Sequence, residues 1–147
     1  VSTSTFINFS SLSTTFGYGF APTNFELNIV PATWDFDGNG VADALTDGLL
    51  LLRYTFGLRD EALTDNVVAD NSTRTASQVA EIMERATVIA DIDGNGVVDA
   101  LTDGLMLLRY LFGLNGESLI DSVVDASASR VDAISIESYI EAHMPRN

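Results

Sequence analysis

The stretch Asp35-Phe-Asp37-Gly-Asn39-Gly40-Val41-Ala-Asp43-Ala-Leu-Thr46-Asp47 decides how this chain is read, because it places oxygen donors at alternate positions around a glycine turn. Asp35 and Asp37 offer carboxylates, Asn39 an amide oxygen and Val41 its backbone carbonyl. Asp43 reaches the same centre directly or through a water, and Asp47 closes the set. Donors so arranged converge on a hard cation. Calcium takes about 6–8 oxygens in flexible geometry while magnesium holds to a smaller octahedron, so the loop reads as a calcium site. Without the cation its carboxylates would repel one another at close range.

Fifty-six residues later the stretch returns as Asp91-Ile-Asp93-Gly-Asn95-Gly96-Val97-Val-Asp99-Ala-Leu-Thr102-Asp103, and 20 of the 24 positions from Asp35 to Leu58 match those from Asp91 to Leu114. A pair of acidic hairpin turns would not need the donor spacing to recur, so the repeat predicts two Ca²⁺ ions per chain.

Of the 21 acidic residues, eight lie in these two loops; with only seven basic residues the net charge is −14 over 147 residues. Two calcium ions would bring it to about −10. A surface this acidic argues against nucleic acid as a partner. The absence of cysteine excludes disulfides, zinc–thiolate sites and thiol catalysis. With 46% apolar residues the chain has the material for a packed core. No stretch approaches the eighteen or so apolar residues of a membrane span, since Leu49–Leu52 runs into Arg53, and no membrane insertion is expected. The chain starts at Val1 without a methionine or a leader, which reads as a piece of something longer.

Residues 1–33 differ in character. They are rich in Ser, Thr and Phe, and Asn24–Ile29 alternates polar and apolar, so an extended or β-like segment is expected, ending at Pro31. Trp34 reads as an apolar anchor for the first loop and not as a sugar-stacking platform. After the loop a helix is expected with Thr46 as N-cap, an apolar face of Leu49, Leu52 and Phe56 widened by Leu45 and Leu51, and Gly57 as its stop. Its twin runs from Thr102 to Phe112, with Leu105 and Leu108 on the face and Gly113 as the stop. Gly48 and Gly104 read as room for backbone approach near the ion.

The likeness continues through RDEALTDNVVADNSTR and NGESLIDSVVDASASR into a second helix in each unit. The first carries a Thr75–Gln78 capping box and the face Val79, Ile82, Met83; the second carries Ile136, Tyr139, Ile140 and Met144. The units span 34–89 and 90–147 and are expected to share one core. Asp125 and Glu137, twelve apart with Ser127 and Ser129 between them, suggest a vanished calcium loop whose hydroxyls cap helices and whose Arg130 takes part of the ion's charge; Ala69 begins the matching segment of the first unit.

The pattern DxDGNGxxDALTDGLxLLRYxFGL resembles the loop and exiting helix of an EF-hand, and most closely the dockerin-type repeat, over 35–58 and 91–114. The resemblance implies a mainly α fold of tandem EF-hand-like loop-helix repeats. It implies Asp35, Asp37, Asn39, Val41, Asp43 and Asp47 as ligands of one ion and Asp91, Asp93, Asn95, Val97, Asp99 and Asp103 as ligands of the other. Here the closing acid stands one residue later than in that family, with Thr46 and Thr102 at the usual position. Either the two intact loops pair with each other, or each pairs with a degenerate loop of its own unit.

Dockerin-type repeats occur on secreted and surface bacterial proteins and bind a protein partner, so the resemblance implies an extracellular setting and a cohesin-like or other protein partner. The partner-reading positions hold Ala44-Leu45 and Ala100-Leu101, with Arg53 and Arg109 on the helices. Catalysis has little to stand on: His143 sits beside Pro145 at the end of the last helix, and the clustered acids are the calcium ligands. A non-catalytic calcium-binding structural or docking module of a larger protein is therefore expected. The alternatives are a calcium sensor, which would want clustered methionines where Met83, Met106 and Met144 are dispersed, and a small carboxylate-based glycoside hydrolase fragment.

Overall fold

The extra residue of each loop is taken up by the helix that follows it. In the computed structural model, which describes residues 32–146, the N-cap is Asp43 and not Thr46: its carboxylate accepts the Leu45 and Thr46 N–H groups. The first turn, Ala44–Gly48, is π-helical before α1 (Leu49–Thr55) continues as an ordinary helix. The Gly48 N–H accordingly bonds the Asp43 carbonyl, five residues back, at 3.0 Å. Asp99 caps an identical π turn, Ala100–Gly104, ahead of α4 (Leu105–Leu111).

This start corrects the expected apolar face. Asp47 is buried in the loop, so the inward side of the turn and helix runs Ala44, Asp47, Gly48, Leu51, with Leu50 beside it. Leu49 and Leu52 are half-buried, while Leu45 and Phe56 are 67% and 59% exposed. Burial of the closing acid, not the leucine spacing, sets the phase of the helix. The twin obeys it too, with Met106 and Leu107 buried and Leu101 and Phe112 exposed. Gly57 ends α1 as expected: at φ +85° it lets the Leu58 N–H bond back to the Arg53 carbonyl at 3.0 Å.

What the sequence presents as connectors contain one-turn helices, α2 (Glu61–Thr64) and α5 (Glu117–Ile120), pinned by buried Leu63 and Leu119. Arg53 and Arg109 hold their ends, donating to the carbonyls of Asp65 and Asp121 at 2.9 Å each. In α3 (Ala76–Ala90) both capping-box bonds form and Val79, Met83, Ala86 and Ala90 make the buried face. Asp132 caps α6 (Ala133–Ala142), where Ile136 and Ile140 are buried. Their counterparts Val79 and Met83 lie fifty-seven residues back, not fifty-six, because the second unit carries one extra, exposed residue at Val131.

Each π turn packs against the other unit's helix. A Cβ placed on Gly48 would lie 3.0 Å from Leu108 Cδ1 and 3.5 Å from its Cα; on Gly104 it would lie 3.1 Å from Leu52 Cδ1 and 3.5 Å from its Cα. The glycines thus make room for a neighbouring helix and not for an ion. The intact loop–helix units pair with one another, and one core joins Trp34, Phe36 and Leu50 to Ile92, Met106 and Ile140. Trp34 is fully buried, its indole N–H bonded to the Ile140 carbonyl at 2.7 Å and its backbone N–H to that of His143 at 3.0 Å. Among the described residues there are six helices and no strand, a mainly helical fold, and no helix is long and apolar enough to cross a membrane. The extended segment expected over 1–33 lies, up to residue 31, outside the described residues.

Candidate metal centres

Because the π turn draws the late acid back toward the start of the loop, Asp47 meets Asp35 and Asp37: one carboxylate oxygen of each lies within 4.8 Å of the others. Asp91, Asp93 and Asp103 form the same group in the second unit. Asp37, Asp47, Asp93 and Asp103 are fully buried. Among the described residues the one ion pair is Arg85 with Glu81, on the surface of α3, so no side-chain cation neutralises these buried acids. Each group could hold a metal ion, since buried charge persists only where it is paired or coordinated.

The peptide backbone compensates in part. Asp47 Oδ1 accepts the Phe36 N–H at 2.6 Å and its Oδ2 accepts the Asp43 N–H and Thr46 hydroxyl at 3.0 Å; Asp103 repeats all three bonds. Burial nonetheless pushes the Asp47 carboxyl up from 3.8 to about 6, the charge of Asp37 adding to it and the Asp43 and Phe36 N–H groups opposing. Burial raises Asp103 in the same way against similar bonds. Asp35 wraps the turn, accepting the N–H groups of Gly38, Asn39 and Gly40.

The remaining expected donors are placed differently. Asp43 and Asp99 stand outside the groups of three, with Oδ1 on the N–H groups of the π turn. The Asn39 and Asn95 amide oxygens accept the N–H of Val41 and Val97 at 2.7 Å, closing the tight turn at mid-loop. The oxygen-only donor set suits a hard divalent cation and gives zinc or copper no nitrogen or sulfur.

The two acids of the degenerate segment do not converge on one point. Asp125 accepts from Ser127 while Glu137 accepts the Gly116 N–H at 2.7 Å, so the two acids face different partners. These segments instead fold back onto the intact loops. The Ala69 and Asp125 N–H groups donate to Asp37 and Asp93 Oδ2 at 3.0 Å, Thr73 donates to the Gly38 carbonyl at 2.6 Å, and Arg74 and Arg130 reach the loops' first carbonyls. These arginines were not among the expected site residues, although their fifty-six-residue spacing was visible. His143 packs its ring on Trp34 and Tyr139 at 5.7 and 4.7 Å between centroids.

No family model matches this chain, and no curated protein or solved structure matches it.

Proposed function

We propose that this chain is a non-catalytic, calcium-folded structural and docking module of the EF-hand-like, dockerin-like kind, belonging to a larger secreted or cell-surface protein. One observation carries it: two identical groups of three aspartates, two of each three fully buried, without a side-chain counter-charge. Asp35, Asp37 and Asp47 would hold one Ca²⁺ and Asp91, Asp93 and Asp103 the other. Asn39, Val41 and Asp43, with Asn95, Val97 and Asp99, would bring each set to about six oxygens, the lower end of the range calcium takes, in a loop whose geometry need not be the strict octahedron of magnesium.

Docking is supported by Leu45 and Leu101, each 67% exposed at equivalent places on the two π turns. They occupy positions that read the partner in dockerin-type repeats. Arg53 and Arg109 are engaged with carbonyls of their own units, so partner choice would rest on the leucines. Calorimetric titration of chelator-treated protein tests the calcium reading: two calcium ions should bind per chain and should still do so in excess magnesium. A chain that takes up no calcium, or takes up magnesium equally, refutes it.

A further inference from the structure

Arg74 and Arg130 do something unusual for arginines in so acidic a chain: neither forms an ion pair among the described residues. Arg74 Nη1 donates to the carbonyls of Asp35 and Phe36 at 2.6 and 2.9 Å. Arg130 donates through Nη2 and Nε to those of Asp91 and Ile92 at 2.5 and 2.6 Å, with its guanidinium 4.0 Å over the Tyr139 ring. The loop positions gripped are the same in both units. They are also the two peptide planes that relate the first aspartate of each group to the second.

The first of these planes is held at both ends. Its carbonyl, on Asp35 or Asp91, accepts from the arginine, while its N–H, on Phe36 or Ile92, donates at 2.6 Å to the closing Asp47 or Asp103. A guanidinium polarising the carbonyl strengthens the opposite N–H as a donor to the buried carboxylate, one peptide unit away. The clamp survives a substitution elsewhere in it. In the first unit the Ser72 hydroxyl bridges the Arg74 N–H to the Asp37 carbonyl at 3.1 and 2.6 Å; where Ala128 has no hydroxyl, the Arg130 N–H bonds the Asp93 carbonyl directly at 2.8 Å.

We propose that Arg74 and Arg130 are positioning residues, each setting the geometry at which its own loop's aspartates meet the cation. This rests on the metal reading above. Arg130→Lys keeps the charge but loses the planar fork and the stacking on Tyr139. Calcium titration of R130K should show one of the two sites weakened about 10–100-fold, the usual effect of removing a group that orients a ligand. The Arg74 site should be unchanged as an internal control, and helical circular dichroism at saturating calcium should match wild type. R130Q should weaken the same site at least as much. Two unchanged sites in R130K, or two sites weakened equally, would overturn the proposal. So would a tighter site in R130Q, which would make the arginine a charge that repels the ion. Wild-type protein that binds no calcium would remove the underlying reading as well, and that result precedes any variant.

Discussion

Acidifying the ion-free protein should make it more stable. Asp47 is buried with its carboxyl raised from 3.8 to about 6, so the folded state binds a proton more tightly than the unfolded chain does. A group raised in this way favours folding when protonated, and that contribution disappears as pH rises through 6. Linkage gives about 1.4 kcal/mol from Asp47 at pH 5 and less than about 0.1 kcal/mol at pH 7. Asp103 is shifted in the same direction and adds to it. Asp125 and Asp132, which hydrogen bonds from Ser127 and Ser135 hold below the usual carboxylate value, pull the other way only below about pH 4, outside this window. In chelator, the melting temperature should therefore climb about 3–5 °C between pH 7 and pH 5 on the Asp47 contribution alone. With calcium the slope should reverse, because the ion needs the carboxylates deprotonated and loses affinity in acid. Differential scanning calorimetry in chelator and in calcium reads both slopes. A flat or falling midpoint in chelator would mean that these aspartates are not desolvated in the fold, and the argument from buried uncompensated charge would fall with them.

Trp34→Ala should destabilise by about 3–5 kcal/mol, as for other large buried aromatics, and Trp34→Phe by about 1–3 kcal/mol because the Ile140 carbonyl loses its indole donor; urea denaturation measures both, and a surface-sized effect would contradict the packing. Gly104→Val should cost about 1–3 kcal/mol, since Leu52 and Thr55 already stand 3.1 and 3.3 Å from its first added carbon. Gly48→Val should match it in thermal melts, and a harmless valine at either position would deny that the two units interlock.

What could be read in the sequence was what local chemistry dictates. The Thr75 capping box and the stop at Gly57 each follow from a few adjacent residues and take the expected geometry, while of the alternate donors around Gly40 and Gly96 three aspartates per loop come together. What could not be read was set by distant parts of the chain. The apolar face of α1 was misphased because spacing shows only that leucines recur, whereas its rotation is decided by Asp47 returning to the Phe36 N–H. Thr46 looked like a cap by residue type, yet the π turn puts that function on Asp43. The segment ending in Arg130 looked like a failed loop because it kept the vocabulary of one. Its arginine and the Asp125 N–H work on the neighbouring intact loop, a relation that only the fold-back of the chain creates.

The duplication also bears on what each unit could do alone. Trp34 opens the first unit but is buried beneath the last helix of the second, and the Tyr139 hydroxyl of that helix bonds back to the Ile89 carbonyl at the end of the first unit, at 2.9 Å. Gly48 and Gly104 lock the middle of each unit into the other. Beside the packing within each unit, these junctions are therefore supplied by its twin, across sequence separations of 50 to 106 residues. Contacts so non-local repay their loop-closure entropy only when formed together. A unit cut at residue 89 would leave the Trp34 indole without the Ile140 carbonyl and the turn at Gly48 without Leu108 and Leu111 against it. The two loops each feed a helix packed against the other unit, so a cation held at either loop would stabilise the core that both share.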